Sequence, residues 1–252
     1  MDALNPRAIV GTGTPEARWQ CWLSRCPIAR ASIGQLVAAD RCLHVLAPHP
    51  DDEILGCAGI MRQALHLGCT VQVWAVTDGE ASHAGSAAMP PAALARVRTR
   101  ESVCALRGLG TDIRRRRLRI PDGAVGRYLP EIVAALSPHL QPGDTVIAPW
   151  AADGHPDHEA TARAGRQAAD NCLCRLFEVP IWGWHWADPL RGDFPAHRAL
   201  AIALTDADAA AKARAIRAFG TQLQADPATG NPPILPDFVL ARFRRRFEVV
   251  LR

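Results

Sequence analysis

Short apolar runs alternate with segments of helical periodicity along most of this chain, and no other feature constrains the fold as strongly. Residues 42–47 form an apolar run, residues 70–76 form a β-branched run, and residues 54–67 between them carry helical periodicity that ends at Gly68. Strand–helix–strand units of this kind produce parallel strands with helices packed on the sheet. The sequence therefore predicts an α/β fold with a single doubly wound, Rossmann-like, mostly parallel sheet and helices on both faces. The other predicted strands span 118–121, 145–149, 175–181, 199–204 and 247–251, and the other predicted helices span 91–109, 129–140, 157–171 and 206–219.

The length of the chain and its patterning predict one main domain. At 252 residues the chain can bury a sizeable core, and it contains no internal repeat and no convincing linker. Residues 1–40 mix Trp, Pro and Arg without a clear period, so we expect them to form an N-terminal extension with a helix near 16–23. Residues 41–252 are expected to form the α/β domain.

Charge and hydropathy exclude several classes of function. The chain has 29 basic and 25 acidic side chains, and this small excess gives no basic patch for nucleic acid. The one dense basic run, Arg114–Arg117, is expected to be a solvent-exposed connector rather than a phosphate site. No apolar stretch approaches the ~18 residues of a membrane span, and neither a secretory signal nor a CxxC spacing is present. We therefore expect no transmembrane segment and a cytoplasmic localisation.

The first chemically distinctive segment follows the predicted strand 42–47 and runs from His49 through Pro50 to Glu53. In an open α/β sheet, ligands bind beyond the carboxyl ends of the strands. His49 and Asp52 lie three apart across a proline-stiffened turn and can converge on one metal ion, while Asp51 is free to contact water beside it. Helix capping by the acidic residues is the alternative, but capping explains neither His49 nor the third acid.

A second segment of the same type follows the predicted strand 145–149. It contains His155, Asp157 and His158, again around a proline at a strand-to-helix turn. With His49 and Asp52, either histidine would complete a set of two imidazoles and one carboxylate. Three protein ligands of this type with an open fourth position are typical of a catalytic zinc site rather than a structural one, although other divalent metals also bind such a set.

Together, these two segments resemble the paired signature of the LmbE-like (PIG-L) family of zinc-dependent N-acetylglucosaminyl deacetylases. Two further features are similar to the family pattern, an Arg-x-x-Glu helix at Arg98–Glu101 and a Pro-Asp-Gly turn at 121–123. The resemblance extends over about residues 42–160. One position departs from it, because some sugar-thiol members carry an aromatic residue where this chain has Asp153.

The resemblance implies a role for each matching residue. His49, Asp52 and His158 would bind Zn²⁺, and Asp51 would be the general base. His155 would stabilise the oxyanion or act as a second acid, and Asp157 would orient a ligating histidine. The resemblance further implies that two residues contact substrate hydroxyls, namely Arg98 and Asp122.

These features predict a zinc-dependent hydrolase that removes an acetyl or other acyl group from a small-molecule N-acyl amino sugar or glycoconjugate. An amidase for a larger sugar-thiol or other amide conjugate is an alternative, as is a non-catalytic α/β protein that binds a metal or nucleotide. Trp182, Trp184 and Trp186 recur at period two, so an extended segment would place the three rings on one face, as a substrate platform or as packing. The oligomeric state is left open, with a homo-oligomer as one alternative.

Overall fold

A computed structural model describes residues 7–110 and 112–252 and contains one eight-stranded sheet. The strands lie in the order β1-β7-β8-β6-β5-β2-β3-β4, and all neighbouring pairs are parallel except those made by β8. The predicted α/β class and the doubly wound, mostly parallel sheet are thereby confirmed. The strands are β1 (Ala29–Ala31), β2 (Cys42–Ala47), β3 (Thr70–Ala75), β4 (Ile113–Arg117), β5 (Thr145–Pro149), β6 (Arg175–Val179), β7 (Ala199–Ala203) and β8 (Phe247–Leu251).

Helices cover both faces of this sheet. One core contains buried residues of α1, α3, α4 and α8, and the second core contains buried residues of α5 and α6. None of the helices in the described part of the chain is long and apolar enough to cross a membrane. The helices are α1 (Glu16–Arg25), α2 (Ile33–Leu36), α3 (Asp52–His66), α4 (Pro91–Arg107), α5 (Leu129–Leu136), α6 (Pro156–Asn171), α7 (Gly183–Trp186), α8 (Asp206–Ile216), α9 (Gly220–Leu223) and α10 (Asp237–Leu240).

The two central strands, β2 and β5, fix the position of the functional site. Both are almost fully buried, as expected for parallel strands covered on both faces. They pair in register from Leu43 opposite Thr145 to Val45 opposite Ile147, so their carboxyl ends lie side by side. From this pair, β3 and β4 extend the sheet in one direction and β6 in the other. The direction in which successive strands extend the sheet therefore reverses between β2 and β5, although the two strands are parallel. A doubly wound sheet opens a crevice for ligands at such a point.

The predicted location of the fourth strand was wrong. The strand is formed by Ile113–Arg117 rather than by residues 118–121, so the arginine run is not a solvated connector. The half-buried Arg115 donates to Ser102, and the more exposed Arg117 pairs with Asp78. A charged edge strand is tolerated because its outer side chains reach water and discourage pairing with another chain.

Part of the segment predicted as an N-terminal extension joins the main fold. β1 pairs in parallel with β7, and Trp19 of α1 is completely buried in the larger core. A three-residue edge strand is too short to produce a period-two pattern, which is why the sequence did not reveal it. Residues 1–6 lie outside the described part of the chain, and the division at residue 40 stays a prediction.

Candidate metal centre and active site

The turns that follow β2 and β5 bring His49, Asp52 and His158 together. His49 Nδ1 lies 3.3 Å from His158 Nε2, and Asp52 Oδ2 lies 3.4 Å from the former and 3.3 Å from the latter. A tetrahedral zinc ion holds nitrogen and oxygen ligands at about 2.0–2.1 Å, so its ligand atoms are about 3.3–3.4 Å apart. The three atoms therefore form a triangle of the size that one tetrahedral face requires.

The hydrogen bonds behind this triangle orient its lone pairs. The other ring nitrogen of His158, Nδ1, lies 2.8 Å from Asp153 Oδ2, and the other ring nitrogen of His49, Nε2, lies 3.1 Å from Asp122 Oδ1. In the neutral form of each ring, this nitrogen carries the proton and donates it to the carboxylate, which leaves the unprotonated nitrogen facing the triangle. Two imidazole lone pairs then converge with Asp52 Oδ2, which also accepts from the amide of His49. This donor set fits a divalent cation.

The electrostatics of the triangle favour positive charge. Burial lowers the pKa of His158, but the negative charges of Asp52 and Asp153 outweigh burial and raise the pKa to about 9. Burial also opposes protonation of His49, yet hydrogen bonds to Asp122, Asp157 and Asp52 hold its pKa well above the usual value. The same carboxylates that attract these protons would stabilise a bound metal ion.

Asp153 is the site residue that sequence reasoning missed, because it was interpreted as a departure from the family pattern. Its side chain is completely buried. One carboxylate oxygen accepts from His158 and from the amide of Trp182, and the other accepts from the amides of Ile181 and Gly183. The sequence signal that could have revealed Asp153 is an acidic residue in the turn after β5, five residues before a ligating histidine.

Asp157 lies beside His49, and its predicted role of orienting a ligating histidine stays a prediction. Its Oδ2 is 3.5 Å from His49 Nε2, slightly farther than Asp122, and it also accepts from the amides of Gly123 and Val125. Asp157 and Asp122 therefore hold the same imidazole from two sides, and Asp157 also fastens the 122–125 turn. Asp122 was predicted to contact substrate hydroxyls. That role stays a prediction, although its carboxylate also lines the open cleft.

Asp51 lies beside the triangle in a strained backbone conformation. Its φ of 145° is one that L-residues rarely adopt, and such strain persists only where surrounding contacts enforce it. Here the amide of Asp51 donates to Glu53, whose carboxylate is held in turn by Ser102. Burial, opposed by Arg98, raises the pKa of Asp51 to about 7, which is suitable for a general base near neutral pH.

Arg98 lies behind Asp51. Its guanidinium donates to Asp51 Oδ2 at 3.1 Å, to the carbonyl of Pro50 at 2.9 Å and to the carbonyl of Gly79 at 2.9 Å. Only 2% of the residue is exposed. A side chain at Gly79 would collide with this guanidinium, so the close approach requires glycine. The predicted contact with substrate stays a prediction, whereas the contact that the structure provides is with Asp51.

His155 lies on the side of the cleft formed by the β5 turn, with its ring centroid 4.9 Å from that of His49. Its Nδ1 accepts from the amide of Asp157 at the start of α6, so the proton of the neutral ring is on Nε2. Burial and the neighbouring histidines lower the pKa of His155 to about 3. The ring is therefore a neutral donor at physiological pH.

These residues lie in a cleft of about 320 Å³. His49, Asp51, Asp52, Arg98, Asp122 and His155 line its polar side, together with Ser82 and Gln222. The volume is at the lower end of the range of about 300–1,000 Å³ that is typical of small-molecule sites. The cleft therefore exposes two members of the metal triangle, His49 and Asp52, to one small ligand together with Asp51 and His155.

The three tryptophans after β6 do not share one face, so the extended arrangement was wrong. The segment turns into the short helix α7, because the carboxylate of Asp153 accepts from three successive amides at its start. Trp182 lines the cleft, Trp184 stacks on Phe194 in the core, and Trp186 stacks on Trp150. Only the first of the three is placed to contact a ligand in this cleft.

Comparison with known proteins identifies the family. The sequence model of PIG-L, described as GlcNAc-PI de-N-acetylase, matches residues 44–169, and this range contains both turns of the metal triangle. The chain belongs to the PIG-L family. No curated protein sequence matches the chain.

Solved structures show the same architecture as this PIG-L protein. A conserved protein of Thermus thermophilus is 28% identical with a TM-score of 0.56, and the match covers 79% of this chain and 84% of that one. The antimicrobial A40926 pseudoaglycone deacetylase Dbv21 is 21% identical with a TM-score of 0.58, covering 84% and 96% of the two chains. The N,N'-diacetylchitobiose deacetylase of Pyrococcus horikoshii is 20% identical with a TM-score of 0.53, covering 81% and 77%. At 20–21% identity, the two deacetylases show a common fold.

Proposed function

We propose that this protein is a zinc-dependent hydrolase that removes an acetyl or other short acyl group from an N-acylated amino sugar or glycoconjugate. The observation that carries the proposal is the triangle of His49, Asp52 and His158, since His49 and Asp52 line one cleft with Asp51 and His155 and His158 is buried next to them. The family description, which names a de-N-acetylase acting on an N-acetylglucosamine lipid, supports this chemistry. The two deacetylases that share the fold are named for a diacetylated sugar and a pseudoaglycone, and they support the same substrate class.

The metal would be held by His49 Nδ1, Asp52 Oδ2 and His158 Nε2. Zn²⁺ supplies positive charge that lowers the pKa of water to about 7 and polarises an amide carbonyl. The ligand set also accepts other divalent ions, and zinc is favoured by the size of the triangle and its nitrogen-rich composition.

Asp51 would accept a proton from the attacking water and return it to the departing nitrogen. Its raised pKa lets the carboxylate gain and lose a proton near neutral pH, and the contact with Arg98 holds one oxygen in place. The second oxygen is then available to face the cleft. The products are a carboxylate and a free amine.

His155 would donate its Nε2 proton in a hydrogen bond to the oxygen of the reacting carbonyl. Because burial keeps the ring neutral, it can offer a fixed dipole to the charge that develops there. One preorganised donor of this kind is typically worth about 3 kcal/mol of transition-state stabilisation. His155 is thus proposed as the oxyanion donor.

The test is amine release from a panel of N-acetylglucosamine derivatives by the zinc-loaded protein and by its Asp51→Asn variant. We expect the variant to retain stoichiometric zinc in elemental analysis and to lose at least about 10²-fold in kcat, the low end for a general base. His158→Ala should instead release the metal. Turnover that survives Asp51→Asn would refute the assigned role. A protein with bound zinc and no turnover on any amide would be the non-catalytic metal-binding alternative.

A further inference from the structure

The active-site cleft consists of two parts with different origins in the chain. Its catalytic side comes from residues inside the family match at 44–169. A second part of the lining comes from outside this range, from Ile181 and Trp182 after β6 and from Gln222, Ile234 and Leu235 near the carboxyl terminus. We call these five residues the acceptor wall. The family match therefore describes the chemistry of the site, whereas the acceptor wall is a property of this chain.

The acceptor wall is mostly apolar and partly open to solvent. Trp182 is half-buried, and Ile234 is one of the large apolar side chains that remain exposed, at 39%. Ile181 and Leu235 also line the cleft and are buried. A partly exposed indole and an exposed aliphatic group in the lining of a cleft are typical of a surface that binds an apolar or aromatic group.

Contacts from the catalytic side hold the acceptor wall in place. Glu101 of α4 accepts from both the amide and the hydroxyl of Thr221, at 2.8 and 2.6 Å. The next residue, Gln222, accepts from the amide of Leu235 through its carbonyl and lies 3.5 Å from the hydroxyl of Ser82. Glu101 lies about one turn after Arg98, so α4 positions both the catalytic Asp51 and the acceptor wall.

Apart from the metal ion proposed for the triangle, the described lining of the cleft offers no free cationic side chain to an anionic group on the acceptor portion of a substrate. Among the described residues that line it, Arg98 is the one lysine or arginine. Its guanidinium is directed to Asp51 and two backbone carbonyls, and its Nε is buried without a partner and out of contact with solvent. The carboxylates of Asp51 and Asp122 line the same space, so a phosphate that lies beside them and away from the metal would be repelled.

We infer that the acceptor portion of the substrate is an uncharged glycoside of the N-acyl amino sugar whose aglycone is aromatic or alkyl, and that this aglycone packs on Trp182 and Ile234. The inference rests on the proposed deacetylase function. It excludes a sugar joined through a phosphodiester, such as the lipid in the family description, from being the preferred substrate. The sugar ring lies nearer Ser82, Gln222 and Asp122, and the aglycone extends towards the mouth of the cleft.

The experiment compares three substrates of the zinc-loaded protein: 4-nitrophenyl N-acetyl-β-D-glucosaminide, free N-acetylglucosamine and N-acetylglucosamine 1-phosphate. We expect kcat/KM for the aryl glycoside to exceed that for the free sugar about tenfold, and the 1-phosphate to fall about tenfold below the free sugar. Binding of the same compounds to the Asp51→Asn variant, measured by calorimetry, should follow the same order without turnover. Glycerol 3-phosphate added to the free-sugar assay controls for withdrawal of zinc by phosphate.

Two variants test the residues. Trp182→Ala and Ile234→Ser should each lower the ratio of kcat/KM for the aryl glycoside to kcat/KM for the free sugar towards one. The change should come from a higher KM for the aryl glycoside rather than from a lower kcat. Leu190→Ser removes an apolar side chain that is 67% exposed elsewhere and should leave the preference unchanged. If the 1-phosphate is used as well as the aryl glycoside, the inference is overturned and the deacetylase proposal stands. If no sugar is bound or deacetylated, both are overturned.

Discussion

Replacing Asp153 by Asn tests the part of the site that only the tertiary structure revealed. The carboxylate accepts four hydrogen bonds, two on each oxygen, and Oδ2 accepts those from His158 Nδ1 and Trp182. An asparagine has one oxygen and one amino group, so in either orientation the amino group faces two donors. The imidazole of His158 then loses its partner, or the turn at 181–183 loses two of its bonds.

The magnitude follows from these two unmatched donors. A buried donor left unsatisfied costs about 1–3 kcal/mol, so Asp153→Asn should destabilise the fold by about 2–6 kcal/mol. That loss is a large share of the about 5–15 kcal/mol that stabilises a typical domain. Because the carboxylate also fixes the tautomer of a ligating histidine, zinc affinity should fall about 10–100-fold.

The assay combines urea unfolding of the apo protein with zinc titration against a coloured chelator. A matched control is Asp188→Asn, because Asp188 is also buried and also accepts from a backbone amide and from an arginine, but lies outside the cleft. We expect the control to lose stability and to keep its zinc affinity. An Asp153→Asn protein that binds zinc as tightly as the parent would refute the reasoning that Asp153 orients His158.

Two further predictions concern stability. Lys212 is buried 2.8 Å from the equally buried Glu248, which also accepts from two amides of α3. Lys212→Met should therefore cost about 3–5 kcal/mol in urea unfolding, and the double variant with Glu248→Gln should recover part of that loss. A Lys212→Met protein as stable as the parent would contradict the role of the pair. Burial favours the neutral form of Asp208, but hydrogen bonds from Thr205 and Arg62 outweigh it and hold its pKa below the usual value. Its contribution is therefore present above the unfolded pKa of about 3.9 and is lost as the pH falls through the folded value. Asp208→Asn should accordingly reduce the unfolding free energy more at pH 7 than near pH 3, whereas the exposed Asp170→Asn should change the unfolding free energy little at pH 7.

The sequence determined the elements of the fold and most of the reacting groups. The central strands were predictable because a strand buried on both faces must be continuously apolar, as in β2 and β5. The turns after them were predictable because histidines and acids flank a proline where each strand ends, and the ends of parallel strands meet at one edge. His49, Asp51 and Asp52 follow from that pattern alone, whereas the choice of His158 over His155 as a ligand came from the family resemblance.

The tertiary structure decided which distant groups orient those residues. Asp153 binds His158 because the turn at 181–183 closes on the carboxylate, and Arg98 holds Asp51 because α4 packs behind the strained turn. Neither contact leaves a periodic signal in the sequence. The arginine run became an edge strand for a similar reason, since its acidic and polar partners come from other elements.

The shape of the cleft was also decided by tertiary contacts. Trp182 lies in the cleft while Trp184 and Trp186 do not, because a turn of helix separates side chains that an extended strand would align. Gln222 and Ile234 reach the site from the far end of the chain, where Glu101 of α4 holds the segment that carries Gln222. The sequence thus determined the local chemistry, since strand, turn and proline geometry are short-range effects. Substrate recognition depends on long-range packing, which brings segments together without any local pattern.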